Sequence, residues 1–175
     1  MKLFSENIED LRTLYVADLR KALDMEQKIT KALPTMIEKS TDPELATAFR
    51  NHLTQTKGHV AQVESLLRAA TGDASTSTCK VISALVTSAE DNIKDAGDPS
   101  IRDITLIASG QQVEHHEIAV YGTLRTWAEL LGEDASADTL DGILEEEKNA
   151  DELLSTISDS VNTTAEARSS FATNA

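Results

Sequence analysis

The 175-residue sequence predicts an all-α protein built as a bundle of four long helices, and three observations carry that expectation. Hydrophobic residues make up 40% of the chain but aromatics only 3%, so a core must come from Leu, Ile, Val and Ala. Gly and Pro number only 7 and 3 and mostly stand where helices would start or stop. Apolar residues recur at spacings of three and four over four long stretches, which is the period of a one-sided helix. The length suits one domain with a core of its own.

Each element follows from local chemistry. Ser5 is the expected N-cap of the first helix, whose apolar stripe runs Ile8, Leu11, Tyr15, Leu19, Ala22, Ile29, Leu33 and Ile37. Pro34 should kink this helix rather than end it, because the pattern resumes at Met36. Asp42-Pro43-Glu44 opens the second helix with a cap, a proline at the first position and an acid in the first turn. Gly72 stops it. The Ser/Thr-rich stretch 73–78 leads into a short amphipathic helix from about Cys79 to Asp95. Asp98-Pro99 repeats the start signal for a third long helix, which Gly132 stops. The last helix begins at Ala135-Ser136 and fades near Asp159, so the domain spans 1–160 and 161–175 is a loosely ordered tail.

Tight turns join the first helix to the second and the third to the fourth, making each pair antiparallel. The long link between Gly72 and Asp98 is what a ferritin-like bundle with one long crossover requires. It is expected to span the bundle and leave the first and third long helices parallel. No β-hairpin signal and no internal repeat is present.

Composition narrows function by exclusion. The formal charge is −14 with no Lys/Arg cluster, so a phosphate backbone would be repelled and nucleic acid is not an expected partner. The N-terminus turns acidic too early for a signal peptide, and no apolar run reaches membrane-spanning length, so no membrane is expected and the cytoplasm is the default. Cys79 is the only cysteine, which excludes an internal disulfide; at the start of an apolar helix it reads as a small hydrophobe.

The informative residues are acids on faces that otherwise read as buried. These are Glu26, the pair Glu114 and Glu117, and the pair Glu147 and Asp151, with His52 and His59 on the second helix. A carboxylate in a core must be neutralised, paired or bound to a cation. Their heights agree. Glu26 lies about fifteen residues before the first turn, roughly 22 Å, and the same climb on the second helix lands near Thr56, between the two histidines. Measured from the other turn, the two acid pairs fall at similar depth. Glu147 interrupts the row Leu140, Ile143, Leu154 and Ile157. Oxygen ligands with one or two imidazoles suit iron or manganese. Tyr121, one turn past Glu117, stands where its hydroxyl can support a ligating carboxylate.

Structural alternatives remain for each. Glu145 and Glu146 belong to a charge run, Asp151 can pair with Lys148, and only one of His115 and His116 can face inward. The whole set also fits a metal-free polar network held by hydrogen bonds and protonated acids.

The runs VEHHEIAVYGTL (113–124) and EEEKNAD (145–151), with DMEQKITKALPTM (24–36) and AFRNHLTQTKGHV (48–60), resemble the YciE/YciF-like bacterial stress proteins. The resemblance spans all but the last fifteen or so residues. It implies a ferritin-like fold, a homodimer and a dimetal centre similar to that of rubrerythrin. Glu26, Glu114, Glu117, Glu147 and Asp151 would be the carboxylates. If the protein is an enzyme, it would be a di-iron-type oxidoreductase acting on ferrous iron or peroxide, supplied by a separate electron donor because the chain lacks a Cys-x-x-Cys motif. The second helix departs from the family pattern: Gln55 stands where a glutamate is common. His59 or His52 would have to compensate, which leaves one ion or two open. A non-catalytic dimeric stress protein with a metal-free core is the competing reading.

Overall fold

The computed structural model describes residues 8–173, so the expected cap at Ser5 lies outside the described residues. Five helices follow one another: α1 (Leu11–Lys39), α2 (Pro43–Thr71), α3 (Lys80–Asp95), α4 (Pro99–Leu130) and α5 (Asp134–Thr173). Helix α1 is capped by Asp10. The Asp10 carboxylate accepts from the Thr13 amide at 2.8 Å while Thr13 Oγ1 accepts from the Asp10 amide at 3.2 Å. This reciprocal pair satisfies two amides that have no partner within the helix. Ile8 precedes the helix and is exposed.

The other boundaries follow the sequence closely. α1 runs through Pro34 without ending. Asp42 accepts from the amides of Glu44 and Leu45, and Asp98 from those of Ser100 and Ile101. Gly72 and Gly132 close α2 and α4 at φ values of 86° and 73°, where a side chain would be strained. At the far end the expected fade near Asp159 is corrected, because α5 continues to Thr173. Val161 and Ala165 are buried and extend the stripe of Leu154 and Ile157 by two further turns. The described backbone beyond 160 is therefore helical as far as Thr173.

Three contacts fix the directions of the helices. Thr41, at the end of α1, meets Asp103 at the start of α4; Glu26 meets Tyr121 midway; Arg12, at the start of α1, pairs with Glu133 beyond the end of α4. α1 and α4 are therefore antiparallel, which corrects the expected parallel arrangement. The crossover carries the chain back along the bundle, so α4 sets off from the end where α2 set off. The pair made parallel is α2 and α4: Asp42 sits beside Asp103, and His52, further along, sits beside Glu114. The closest packing is within the two hairpins, α1 with α2 and α4 with α5, as expected. The topology is ferritin-like.

Helix α3 lies across α1 and α4 as part of the crossover. Its start is tied to α1, because Asp24 accepts from the Cys79 amide at 2.8 Å and Lys28 links Asp24 to Ser83. Leu, Ile, Val and Ala dominate the core, with Tyr15 and Tyr121 fully buried among them. At Gly110 a Cβ would fall 2.9 Å from Leu154 Cδ1 and 3.4 Å from Phe49 Cε1, so α4 closes on α2 and α5 there. No helix of the described residues is long and apolar enough to cross a membrane.

Asp103 is buried and clamps the α1–α2 turn to α4. Its carboxylate accepts from the amides of Thr41 (2.8 Å) and Asp42 (3.0 Å) and from the Thr41 hydroxyl. Asp103→Ala strands those donors, and a lost buried partner costs about 1–3 kcal/mol. Urea denaturation should show a lower midpoint with an unchanged slope; a midpoint equal to wild type would mean the clamp contributes nothing.

Candidate metal centre

Four helices each place one or two polar groups at the same level of the core. α1 supplies Glu26; α2 supplies His52 and His59, two turns apart on one face; α4 supplies Glu114 and Glu117; α5 supplies Glu147. All six are buried, with Glu26, Glu117 and Glu147 at 0% exposure. They form two groups whose potential ligand atoms lie within 4.8 Å of one another. One is His52, Glu114, Glu117 and Glu147, the other Glu26, His59 and Glu147.

Glu147 belongs to both, and its two oxygens divide between them. Oε2 lies 3.8 Å from His52 Nδ1, and Oε1 lies 3.0 Å from His59 Nδ1. His52 Nε2 stands 3.4 Å from Glu114 Oε1, and His59 Nδ1 stands 3.8 Å from Glu26 Oε2. A carboxylate that offers one oxygen to each of two neighbouring donor sets has the placement of a bridging ligand.

Hydrogen bonds around the groups orient them. Tyr121 donates from its hydroxyl to Glu26 Oε1, the supporting position expected of it. His59 Nε2 lies 2.9 Å from Glu146 Oε2 at the edge of the core. When the imidazole is neutral, that partner favours the proton on Nε2 and leaves the Nδ1 lone pair facing Glu26 and Glu147.

The electrostatics are those of acids crowded without water. Burial, reinforced by the charge of Glu147, pushes Glu26 up to about 8. The same two causes hold Glu114 and Glu117 well above the usual carboxylate range. Burial also raises Tyr121, helped by Glu26. The two histidines diverge. Burial lowers His52 despite Glu147. For His59 burial opposes the charged form, but the carboxylate of Glu147, 3.0 Å from Nδ1, and the charge of Glu26 overcome it and raise the imidazole to about 9.

The donor set also fits a cation by its unmet bonding. Glu26 Oε2, both nitrogens of His52, His59 Nδ1, Glu114 Oε2, and both oxygens of Glu117 and Glu147 are buried without a hydrogen-bond partner among the described residues. Buried polar atoms are ordinarily satisfied, and so many orphans converging on one volume could hold a positive ion. Carboxylates with two imidazoles and no thiolate suit iron or manganese. Cys79 is elsewhere, its Sγ 3.6 Å from His116 Nε2.

Two sequence candidates fall outside both groups. Gln55 is half-buried, at the edge of the inward row of α2 that His52, Thr56 and His59 occupy. It lines a cavity of about 190 Å³ between α2 and α5, with Asn51, Glu146 and Asn149, that reaches His52 and Glu114. Asp151, also half-buried, directs Oδ2 to His115 Nε2 at 3.1 Å, while its charge acts on Glu114. Glu146 is the residue that sequence reasoning passed over. It sat in the charge run 145–147, and its contact with His59 joins positions 87 residues apart.

Comparison with known proteins agrees with this architecture. The model of a family described as a domain of unknown function (DUF892) matches residues 10–167. The protein YciF of Escherichia coli (strain K12) is 32% identical over 146 residues, 83% of this chain and 88% of that protein. The crystal structure of YciF, described as an E. coli stress protein, superposes with a TM-score of 0.84, covering 89% of this chain and 98% of that one. YcfI of Rhodopseudomonas palustris, described provisionally as structural, is 36% identical, with a TM-score of 0.85 over 88% of this chain and 98% of that one. A Xanthomonas campestris protein at 21% identity shares the fold, with a TM-score of 0.73 over 92% of this chain and 99% of its own. The chain therefore belongs to the DUF892 family of YciF-like proteins.

Proposed function

We propose that this chain is a ferritin-like stress-response protein that holds iron or manganese in its core, one ion on each side of Glu147. The observation that carries the reading is the sharing of Glu147, whose two oxygens serve two separate buried donor sets. His52, Glu114 and Glu117 would complete one set, Glu26 and His59 the other. When bound, such ions would supply one-electron redox chemistry toward oxygen or peroxide, so oxidation of ferrous iron or removal of peroxide is the activity proposed. The residues around them have definable tasks. Glu146 holds the His59 ring so that Nδ1 faces inward. Tyr121 fixes one oxygen of Glu26 and leaves the other free. Electrons would come from ferrous iron or a separate donor protein, since one cysteine cannot build a rubredoxin-type centre. We take the protein to act as a cytoplasmic homodimer, with neither nucleic acid nor membrane as a partner.

A second reading has its own support. Glu26 with Tyr121, and His59 with Glu146 and Glu147, already form part of a polar network, and the R. palustris relative is described provisionally as structural. On that reading the core is metal-free and the protein a dimeric, non-catalytic element of the stress response.

One variant separates the two. Glu147→Gln keeps the size of the side chain, removes one of the crowded charges and weakens a bridging ligand. In chelator at neutral pH the variant should melt lower than wild type, because Glu147 is the nearest buried partner of the protonated His59. With manganous ion at about a hundred times its Kd, wild type should gain about 2.7 kcal/mol, a rise of roughly 5–10 °C, and the variant less than half of that. Equal and negligible shifts in both proteins would leave the structural reading standing.

The pH dependence of the metal-free protein provides an independent check. Glu26, raised from 4.5 to about 8, binds more protons folded than unfolded between those values, so its contribution to stability falls as pH rises through them. His59, raised from 6.5 to about 9, contributes fully below 6.5 and loses that contribution as pH climbs through 9. His52, held low, is neutral in both states above pH 7 and adds no slope there. In chelator the melting temperature should therefore fall between pH 7 and pH 9. The shift produced by manganous ion should grow over the same range, since bound ions displace those protons. A chelated protein whose melting temperature is flat or rising from pH 7 to 9 would contradict the charge arrangement described for the core.

A further inference from the structure

A second cavity, of about 260 Å³, opens between α1, α3 and α4 and leads inward to His52 and Glu114. Its wall is aliphatic and aromatic, formed mainly by Leu33, Met36, Phe49, Val86, Ile93 and Val113. The charged groups at its outer side do not make it an ion site. Lys28 is committed to Asp24 and Ser83, and the exposed Lys31 and Glu90 carry opposite charges. At its inner side stand polar groups with unmet bonding: both nitrogens of His52 and Oε2 of Glu114, on residues 5% and 3% exposed. The cavity between α2 and α5 reaches the same two residues past Gln55, Glu146 and Asn149, so ions have a polar approach of their own.

We propose that the cavity between α1, α3 and α4 binds an aliphatic molecule with a single uncharged hydrogen-bonding end, the chain against the apolar wall and the polar end at His52 and Glu114. An apolar cavity of ~150 Å³ takes up benzene, with six carbons; scaled by volume, the 260 Å³ here hold about ten heavy atoms, which the nine of 1-octanol approach. The hydroxyl of a primary alcohol can donate to one of the free atoms of this pair and accept from the other, whereas a carboxylate end would face the acids clustered behind them. The site stands on the cavity and its lining; His52 and Glu114 also belong to one of the proposed ion sets, so the hydroxyl end reaches them in the metal-free protein, the state tested below.

The test is calorimetric titration of the full chain, in chelator, with 1-octanol and its shorter homologues. Octanol should saturate at one molecule per chain, and each methylene removed should weaken binding about fourfold. Val86→Phe fills the cavity from α3 and should abolish uptake while circular dichroism and manganous-ion binding stay as in wild type. Glu117→Gln, in the metal groups but outside the cavity lining, should keep octanol binding and weaken that of the ion. Loss of ion binding in wild type with octanol uptake intact would remove the metal reading and leave this one. Absence of saturable octanol uptake, uptake unchanged in Val86→Phe, or tighter binding of octanoate or octylammonium than of octanol would overturn it.

Discussion

Four carboxyl groups and two imidazoles at one level of a helical core set the terms for the rest of this structure. Each acid taken singly would be driven out of the core or neutralised, because a buried charge without a partner costs several kcal/mol. Glu26, Glu114, Glu117 and Glu147 instead face one another across the bundle, with His52 and His59 between them. Such an arrangement is tolerable only if protons or cations compensate the charge. Burial and mutual repulsion raise Glu26, Glu114 and Glu117, while His59 keeps its proton well above its ordinary range. In the metal-free protein, protons hold the core near neutrality.

The remainder of the fold keeps those groups in register. Because the crossover makes α2 and α4 parallel, His52 and Glu114 rise to the same height from a common end, where Asp103 pins the α1–α2 turn. The antiparallel pairing of α1 with α4 then brings Glu26 to Tyr121. Asp24 and Lys28 tie the start of α3 to α1, and this positions α3 beside the apolar cavity that reaches His52 and Glu114. These polar contacts set distances between helices along which an apolar core alone would let them slide.

Much of this was legible in the sequence, for identifiable reasons. Helix starts at Asp42-Pro43 and Asp98-Pro99 and stops at Gly72 and Gly132 are local signals, and they hold to within a residue. Counting residues from each turn placed Glu26, Glu114, Glu117 and Glu147 at one height, because the rise of a helix is fixed. What failed was non-local or angular. Gln55 fell at the right height but at the edge of the inward face, a matter of rotation that a height argument does not see. Glu146 read as a solvent acid, since its partner His59 lies 87 residues away. The direction of α4 relative to α1 was misjudged through the geometry of the crossover, although the crossover itself was evident. The end of α5 was set too early: Val161 and Ala165 continue the spacing of Leu154 and Ile157, but polar neighbours weakened the pattern.

Glu147 is proposed to lie between two cation positions, and crystallography with an anomalous scatterer addresses that directly. Crystals grown with manganous ion should give two anomalous peaks in the core, one bounded by His52, Glu114, Glu117 and Glu147 and the other by Glu26, His59 and Glu147. A map with manganese bound only at the acidic surface, and no peak within reach of Glu147, would contradict the account.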